Sequence, residues 1–319
     1  MDDARINEIV EEVIRQLRRA GWMEGPSPSA AVAVNQEIPA GSGGAQTRAL
    51  SLRGADQAAF SLDLPDPAGA ELRYRPGVNH AKDPAALKEL IAATPSRIGV
   101  GRAGPRYTTF SQLLFQGDHA VTQDALYRDV DPGLLAELGL FTVQTKISEG
   151  KEEYLLRPDL GRQLNDEAKH AILEKCVPTP QIQLVVGDGL SATAIESNLR
   201  QIYPVLVEGF RTAGLSLGVP FFVKYCRVGV MNDIGDLLHP DVLILLIGER
   251  PGLGRAESMS AYMAFQPKQG DNDADRDVVC NIFEGGGTNP LEAGAFIVQF
   301  AQKMRQYQAS GVKLKLAAG

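Results

Sequence analysis

Near the amino terminus, apolar residues recur at Ile6, Ile9, Val10, Val13, Ile14 and Leu17. This i, i+3, i+4, i+7, i+8, i+11 spacing predicts one apolar stripe of an amphipathic helix. Glu8, Glu11, Glu12 and Arg15 lie off the stripe, and Arg18 and Arg19 fall where cations suit the helix dipole. Residues 1–22 therefore read as a helix with one apolar face. Residues 23–47 read as a flexible linker. Their Gly, Pro, Ser and Ala content, including Pro26, Pro28, Pro39, Gly41, Gly43 and Gly44, buries too little apolar surface to offset chain entropy. A helix on such a tether is expected to dock or target rather than to build core.

Residues 48–175 form a smaller, mixed, mainly helical segment. Asp83-Pro84 predicts a helix start, with Asp as N-cap and Pro at the first helical position. Leu87, Leu90 and Ile91 give that helix an apolar face, which stops before Pro95. Thr108 or Thr109 caps a second helix with Phe110, Leu113 and Leu114, and Leu134, Leu135 and Leu138 mark a third.

Residues 176–319 change rhythm. Ile182 to Val186, Pro220 to Tyr225 and the aliphatic run 242–247 predict strands, the last of the kind found in buried parallel sheets. Ile195, Leu199, Ile202, Tyr203, Leu206 and Phe210 predict a helix between the first two, and residues 290–310 a final one. Strands alternating with helices imply an α/β fold with a doubly wound, Rossmann-like parallel sheet. Ligands of such sheets sit at the carboxyl ends of the strands. Two glycine-bearing loops fall there, at 188–191 and 248–254.

The chain has 319 residues, which suggests about two domains at roughly 150 residues each. Its net charge of −7 and lack of a long Lys/Arg run argue against general nucleic-acid binding. The run at 242–247 is far short of the ~20 apolar residues of a spanning helix. Asp2 and Asp3 open the chain, unlike a signal peptide. Cys176, Cys226 and Cys280 are odd in number and without CxxC spacing, so free thiols in a reducing cytoplasm are expected.

Gly99, Gly101 and Gly104 spell GxGxxG, and Asp118 lies at the distance of a ribose-binding acid. The context fails, because residues 96–100 make a poor strand and Pro105 interrupts the expected helix. A nicotinamide-dependent oxidoreductase remains the alternative built on those glycines. The other reading of the segment is a Gly-Pro loop presenting Arg102 and Arg106 to carboxylates of the fold or of a partner. His80, His119, His170 and His239 have no metal-ligand spacing, and no HExxH, GxSxG or GxxxxGK[ST] motif occurs. A self-contained catalytic site is not visible, which points towards cofactor binding or a partner's active site. Asp188-Gly189-Leu190-Ser191 offers backbone N–H groups and a hydroxyl to a ligand. In the loop from Gly248 to Gly254, Pro251 fixes one dihedral and two glycines permit close approach.

Six ordered motifs carry a resemblance. They are Gly101-Arg102-Ala103-Gly104-Pro105-Arg106, Arg157-Pro158-Asp159-Leu160-Gly161-Arg162, Val186-Gly187-Asp188-Gly189-Leu190-Ser191, Pro220-Phe221-Phe222-Val223, the loop 248–254 and Ala309-Ser310-Gly311. Over residues 98–311 the chain resembles the small (light) subunits of ethanolamine ammonia-lyases. The resemblance implies an adenosylcobalamin-dependent radical enzyme that converts ethanolamine to acetaldehyde and ammonia. A large subunit, a (β/α)₈ barrel, would hold the substrate, and this chain would complete the cobalamin site with residues 176–319. Residues 48–175 would contact that partner. Residues 1–22 would target a microcompartment shell in the cytoplasm. The resemblance carries cobalamin contacts onto Val228, Glu249 and a position after Ala274-Asp275-Arg276. There the chain departs from the family's Arg-x-Cys-x-x-Asn-Ile and reads Arg276-Asp277-Val278-Val279-Cys280-Asn281-Ile282, so the contact is Val278 through its backbone or Cys280. The absence of DxHxxG fits cobalamin bound with its own base. A third reading is a non-catalytic microcompartment scaffold.

Overall fold

The computed structural model describes residues 70–94, 96–253 and 255–318. The expected helix over 1–22 and linker over 23–47 lie outside the described residues. In chain order the elements are α1 (Ala70–Arg73), α2 (Pro84–Ala92), β1 (Arg102–Ala103), β2 (Arg106–Tyr107), α3 (Thr109–Tyr127), α4 (Pro132–Glu137), β3 (Phe141–Gln144), α5 (Lys151–Leu156) and α6 (Asp166–Lys175). There follow β4 (Ile182–Gly187), α7 (Ala192–Thr212), β5 (Phe221–Lys224), α8 (Val230–Leu238), β6 (Val242–Gly248), β7 (Met259–Phe265), β8 (Asp277–Ile282), α9 (Pro290–Tyr307) and α10 (Gly311–Ala317).

Local chemistry sets the helix ends. Asp83 Oδ1 accepts from the N–H groups of Ala85 and Ala86, both at 3.0 Å. Of the two threonines, Thr108 is the cap of α3 and accepts from Ser111 N–H at 3.3 Å. The helix predicted to reach residue 310 stops at Tyr307, because Gln308 turns left-handed at φ 49° and Ser310 starts α10.

The sheet order is β3-β5-β4-β6-β7-β8. Strands β3, β5, β4 and β6 are parallel, β7 is antiparallel to β6, and β8 is antiparallel to β7. The fold is thus α/β on a mixed six-stranded sheet, where the sequence predicted a parallel one. The reason lies in the connection 249–258, which is too short to hold a crossover helix. Antiparallel neighbours accept a short loop, whereas parallel ones need a crossover of a dozen or more residues. Strand β3 also joins the sheet from before Cys176, as an edge beside β5.

Side chains alternate across the sheet. Ile182, Leu184 and Val186 pack with Ile195, Leu199 and Phe210 of α7 and Ile297 and Met304 of α9. Val185, Leu243, Leu245 and Ile247 pack on the other face with Ile172 of α6 and Met231 and Ile234 of α8. Both faces of the central strands are therefore covered, which leaves the strand ends for function. No helix among the described residues is long and apolar enough to cross a membrane.

The GxGxxG segment does not form strand–turn–helix. β1 and β2 pair as a hairpin with Gly104 and Pro105 between them, and Gly104 has φ 61°. A two-residue turn with glycine first uses that dihedral. Asp118 is buried in an ion pair with Arg97, so it is not a free ribose acceptor. The nicotinamide alternative loses its structural context. Arg102 lies over the Tyr107 ring at 4.6 Å, and Arg106 is exposed.

Candidate functional site

The carboxyl ends of β4, β5 and β6 carry the loops singled out by sequence. The loop after β4 packs tightly onto the end of β6. A Cβ on Gly189, at φ 58°, would strike the carbonyl oxygen of Gly248, and one on Gly248 would strike the carbonyls of Ser191 and Asp188. Close backbone approach thus occurs at Gly248 rather than at Gly252, which has open space around it.

Asp188 and Ser191 are committed inside the fold and do not face a ligand. Asp188 is 1% exposed. Its Oδ2 accepts from Tyr225 N–H at 2.9 Å and Lys151 Nζ at 3.2 Å, and its Oδ1 from Cys226 N–H at 2.8 Å. Burial pushes the Asp188 carboxyl above the usual carboxylate range, opposed by Lys151 and the two N–H groups. Removing one partner of such a buried pair costs about 3–5 kcal/mol, because the other charge is stranded. Ser191 caps α7 at Ala194 N–H and donates to the Ala256 carbonyl at 2.5 Å.

The segment after β5 is held residue by residue. Tyr154 Oη donates to the Cys226 carbonyl at 2.7 Å, and burial pushes that phenol far up. Arg227 N–H donates to the Gly161 carbonyl at 2.8 Å, and its guanidinium lies 4.1 Å from the centre of the Tyr154 ring. Gly161 sits in a 3₁₀ turn beside the Arg157–Asp159 pair, so the Arg-Pro-Asp-Leu-Gly-Arg motif serves to place this turn. Val228 follows, half-buried against the α8 side of the sheet.

The loop between β6 and β7 is pinned from three directions. Ser191 holds Ala256, Asn198 Nδ2 donates to the Glu257 carbonyl at 2.7 Å, and Thr122 Oγ1 donates to the Gly252 carbonyl at 2.8 Å. This loop and the end of β8 wall an open groove of about 480 Å³. Glu249, Arg250, Arg255, Ser258, Cys280 and Asn281 line it. Burial, then Glu249, pushes the Tyr262 phenol up to about 12, and Tyr262 Oη donates to Glu249 Oε1 at 3.4 Å.

Strand β8 explains the displaced cysteine. Val278 and Cys280 are exposed, and Val279 between them packs against the core. A shift of two residues therefore stays on one face. One extra residue then enters β8 opposite Ser260, since Met259 pairs with Ile282 and Ala261 with Val279. Asn281 in this bulge has φ 57° and accepts from Ser258 Oγ at 3.2 Å. Bulges commonly re-aim side chains beside sites. Cys280 lines the groove, and Val278 pairs with Tyr262 further along the strand. The Ala-Ser-Gly motif anchors the start of β8. Ser310 Oγ donates to the Asp275 carbonyl at 2.5 Å, and Gly311 N–H donates to Asp277 Oδ2 at 2.6 Å.

The structure thus joins Glu249 and Cys280 in one groove and places Val228 and Val278 on the same side of the sheet. Sequence reasoning missed Tyr262, Lys151, Tyr154 and Asn281. Only the tertiary pairing of distant elements reveals the first three, and the bulge reveals the last.

Comparison with known proteins gives the family. The family model for "Ethanolamine ammonia-lyase light chain (EutC)" matches residues 84–315. The ethanolamine ammonia-lyase small subunit of Clostridium perfringens is 43% identical over 252 residues, covering 79% of this chain and 85% of that protein. That of Lachnoclostridium phytofermentans is 36% identical over 315 residues, covering 99% and 100%. That of Clostridium acetobutylicum is 46% identical over 230 residues, covering 72% and 94%. On these matches the chain belongs to the ethanolamine ammonia-lyase small-subunit family and is a subunit of a lyase.

Proposed function

We propose that this chain helps a large subunit hold adenosylcobalamin in the conversion of ethanolamine to acetaldehyde and ammonia. The observation that carries the reading is the meeting of Glu249 and Cys280, distant in sequence, in one open groove at the carboxyl ends of the strands. The donor set suits the amide-bearing edge of a corrin. Glu249 accepts, Arg250 and Arg255 donate, and Asn281 does both. Arg255 Nε is buried without a hydrogen-bond partner among the described residues, which is a further donor to satisfy. None of the four histidines lines the groove, so these residues fit the periphery of the group rather than its cobalt.

When bound, adenosylcobalamin supplies the radical that starts the deamination. The residues of this chain bind, orient and exclude water. Glu249 and Asn281 fix edge amides, Val228 adds apolar cover, and Cys280 or the Val278 backbone supplies the third contact. The substrate belongs to the large subunit. Residues 48–175 face that partner, consistent with the exposed Tyr74, Leu90, Leu113 and Tyr127. The Rossmann-like region 176–319 carries the cofactor contacts, and residues 1–22 direct packaging into a cytoplasmic microcompartment through its shell.

The test is acetaldehyde release from ethanolamine by a matching large subunit and adenosylcobalamin, with and without this chain. Release that needs all three components is expected. No release from a folded chain with a competent large subunit would overturn the reading. Removing residues 1–47 should leave release intact and abolish packaging in cells that make the shell. Retained packaging would count against the targeting role.

A further inference from the structure

The backbone leading to Val228 is held in an unfavourable shape by groups outside it. Tyr225 has φ 57°, a left-handed conformation that a bulky side chain adopts only when its surroundings impose it. The imposing group is Asp188. The Asp188 carboxylate spans the consecutive N–H groups of Tyr225 and Cys226, one oxygen to each. Lys151, 9% exposed, reaches the same carboxylate from α5 and lies over the Tyr225 ring at 5.4 Å. An extended Tyr225 would turn the following residues away from the Gly161 carbonyl and Tyr154 hydroxyl that receive them.

We propose that Asp188 is a positioning residue for the cofactor. Supported by Lys151, it holds Tyr225 left-handed so that Val228 is presented on the cofactor side of the sheet. This rests on the cobalamin reading above and assigns Asp188 no contact with the ligand. A carboxylate is needed because both oxygens must accept. An asparagine accepts through one oxygen only, and its NH₂ group would face a backbone N–H.

The test is a double-mutant cycle on the assembled two-subunit enzyme, read as the Kd of adenosylcobalamin by equilibrium dialysis. Asp188→Asn is expected to raise Kd by about tenfold, the factor that 1.4 kcal/mol represents. Glycine takes the left-handed shape without steric penalty. In a Tyr225→Gly background the same Asp188→Asn change should therefore cost no more than about threefold, or roughly 0.7 kcal/mol. Loss of the tyrosine ring is common to both arms of that comparison and cancels. Equal costs in the two backgrounds would overturn the proposal, as would an unchanged Kd in Asp188→Asn. If Asp188→Asn does not assemble with the large subunit, Asp188→Ser goes through the same cycle with the same two outcomes. Glu249→Gln separates the positioning role of Asp188 from cofactor binding in the groove. A raised Kd there with none for Asp188→Asn defeats the positioning role alone. No effect from Glu249→Gln defeats the groove as a cofactor site.

Discussion

The two halves of the sheet's carboxyl rim are built in opposite ways. At β4 and β5, polar groups are spent inside the protein. Asp188, Ser191, Tyr154 and Arg227 all bind backbone, and Asp188 is sealed from solvent. At β6 and β8, Glu249, Arg250, Cys280 and Asn281 face an open groove. The contrast follows from strand direction. The parallel half ends in loops that cross over one another and must satisfy each other's backbone. The antiparallel half ends in a short connection and a bulge, which leave side chains facing outward. The closed half fixes backbone, and the open half carries most of the side chains proposed to meet the cofactor.

The largest effect that would break this contrast is expected at Gly189. Gly189→Ala combines a left-handed backbone with a Cβ driven against the Gly248 carbonyl. It should destabilise the chain by about 3 kcal/mol or more, read from the denaturant midpoint at unchanged slope. Gly104→Ala has the same hand of φ but open space around it. It should cost about 1–2 kcal/mol. Equal losses would mean that the two loops are not locked together.

A smaller effect separates the two candidates on β8. Cys280→Ala should raise the Kd of adenosylcobalamin about threefold, roughly 0.7 kcal/mol, and Val278→Ala by less. An unchanged Kd in Cys280→Ala would place the contact at the Val278 backbone, which side-chain truncation leaves intact. The smallest effect is expected at Tyr262, whose bond to Glu249 is long. Tyr262→Phe should raise Kd about twofold, roughly 0.4 kcal/mol. It also predicts a change at alkaline pH. Folding lifts the Tyr262 phenol from its ordinary 10 to about 12, so its contribution to stability is whole below pH 10 and fades as pH rises towards 12. Thermal melts across that window should fall less for Tyr262→Phe than for the wild type. Parallel slopes would argue that the phenol is not shielded.

Much of the central sheet was legible because its signals are local. The run 242–247 is buried along its whole length as β6, and the Asp-Pro start of α2 caps as expected. β7 and β8 were not, because their antiparallel pairing depends on a loop too short for a helix rather than on any periodicity. The site was half legible. Glu249 stands on a loop the sequence marked, Cys280 came from the resemblance alone on a strand without local signal, and the groove brings them together. The loop 188–191 read as offering backbone N–H groups and a hydroxyl to a ligand, and the burial of Asp188 and Ser191 overrides that reading. Lys151 and Tyr154 carry no signal at all, since their meaning comes from partners far along the chain.

Strand β3 has a consequence for synthesis. It ends at Gln144, and its one sheet neighbour among the described residues, β5, begins at Phe221, 77 residues later. At roughly 5–20 residues per second the ribosome needs on the order of 4–15 s to deliver that neighbour. Throughout that interval β3 is an unpaired edge, and Tyr154 waits for the Cys226 carbonyl it will hold. Slowed translation after Gln144 therefore lengthens the time in which the nascent chain offers an open edge to other chains.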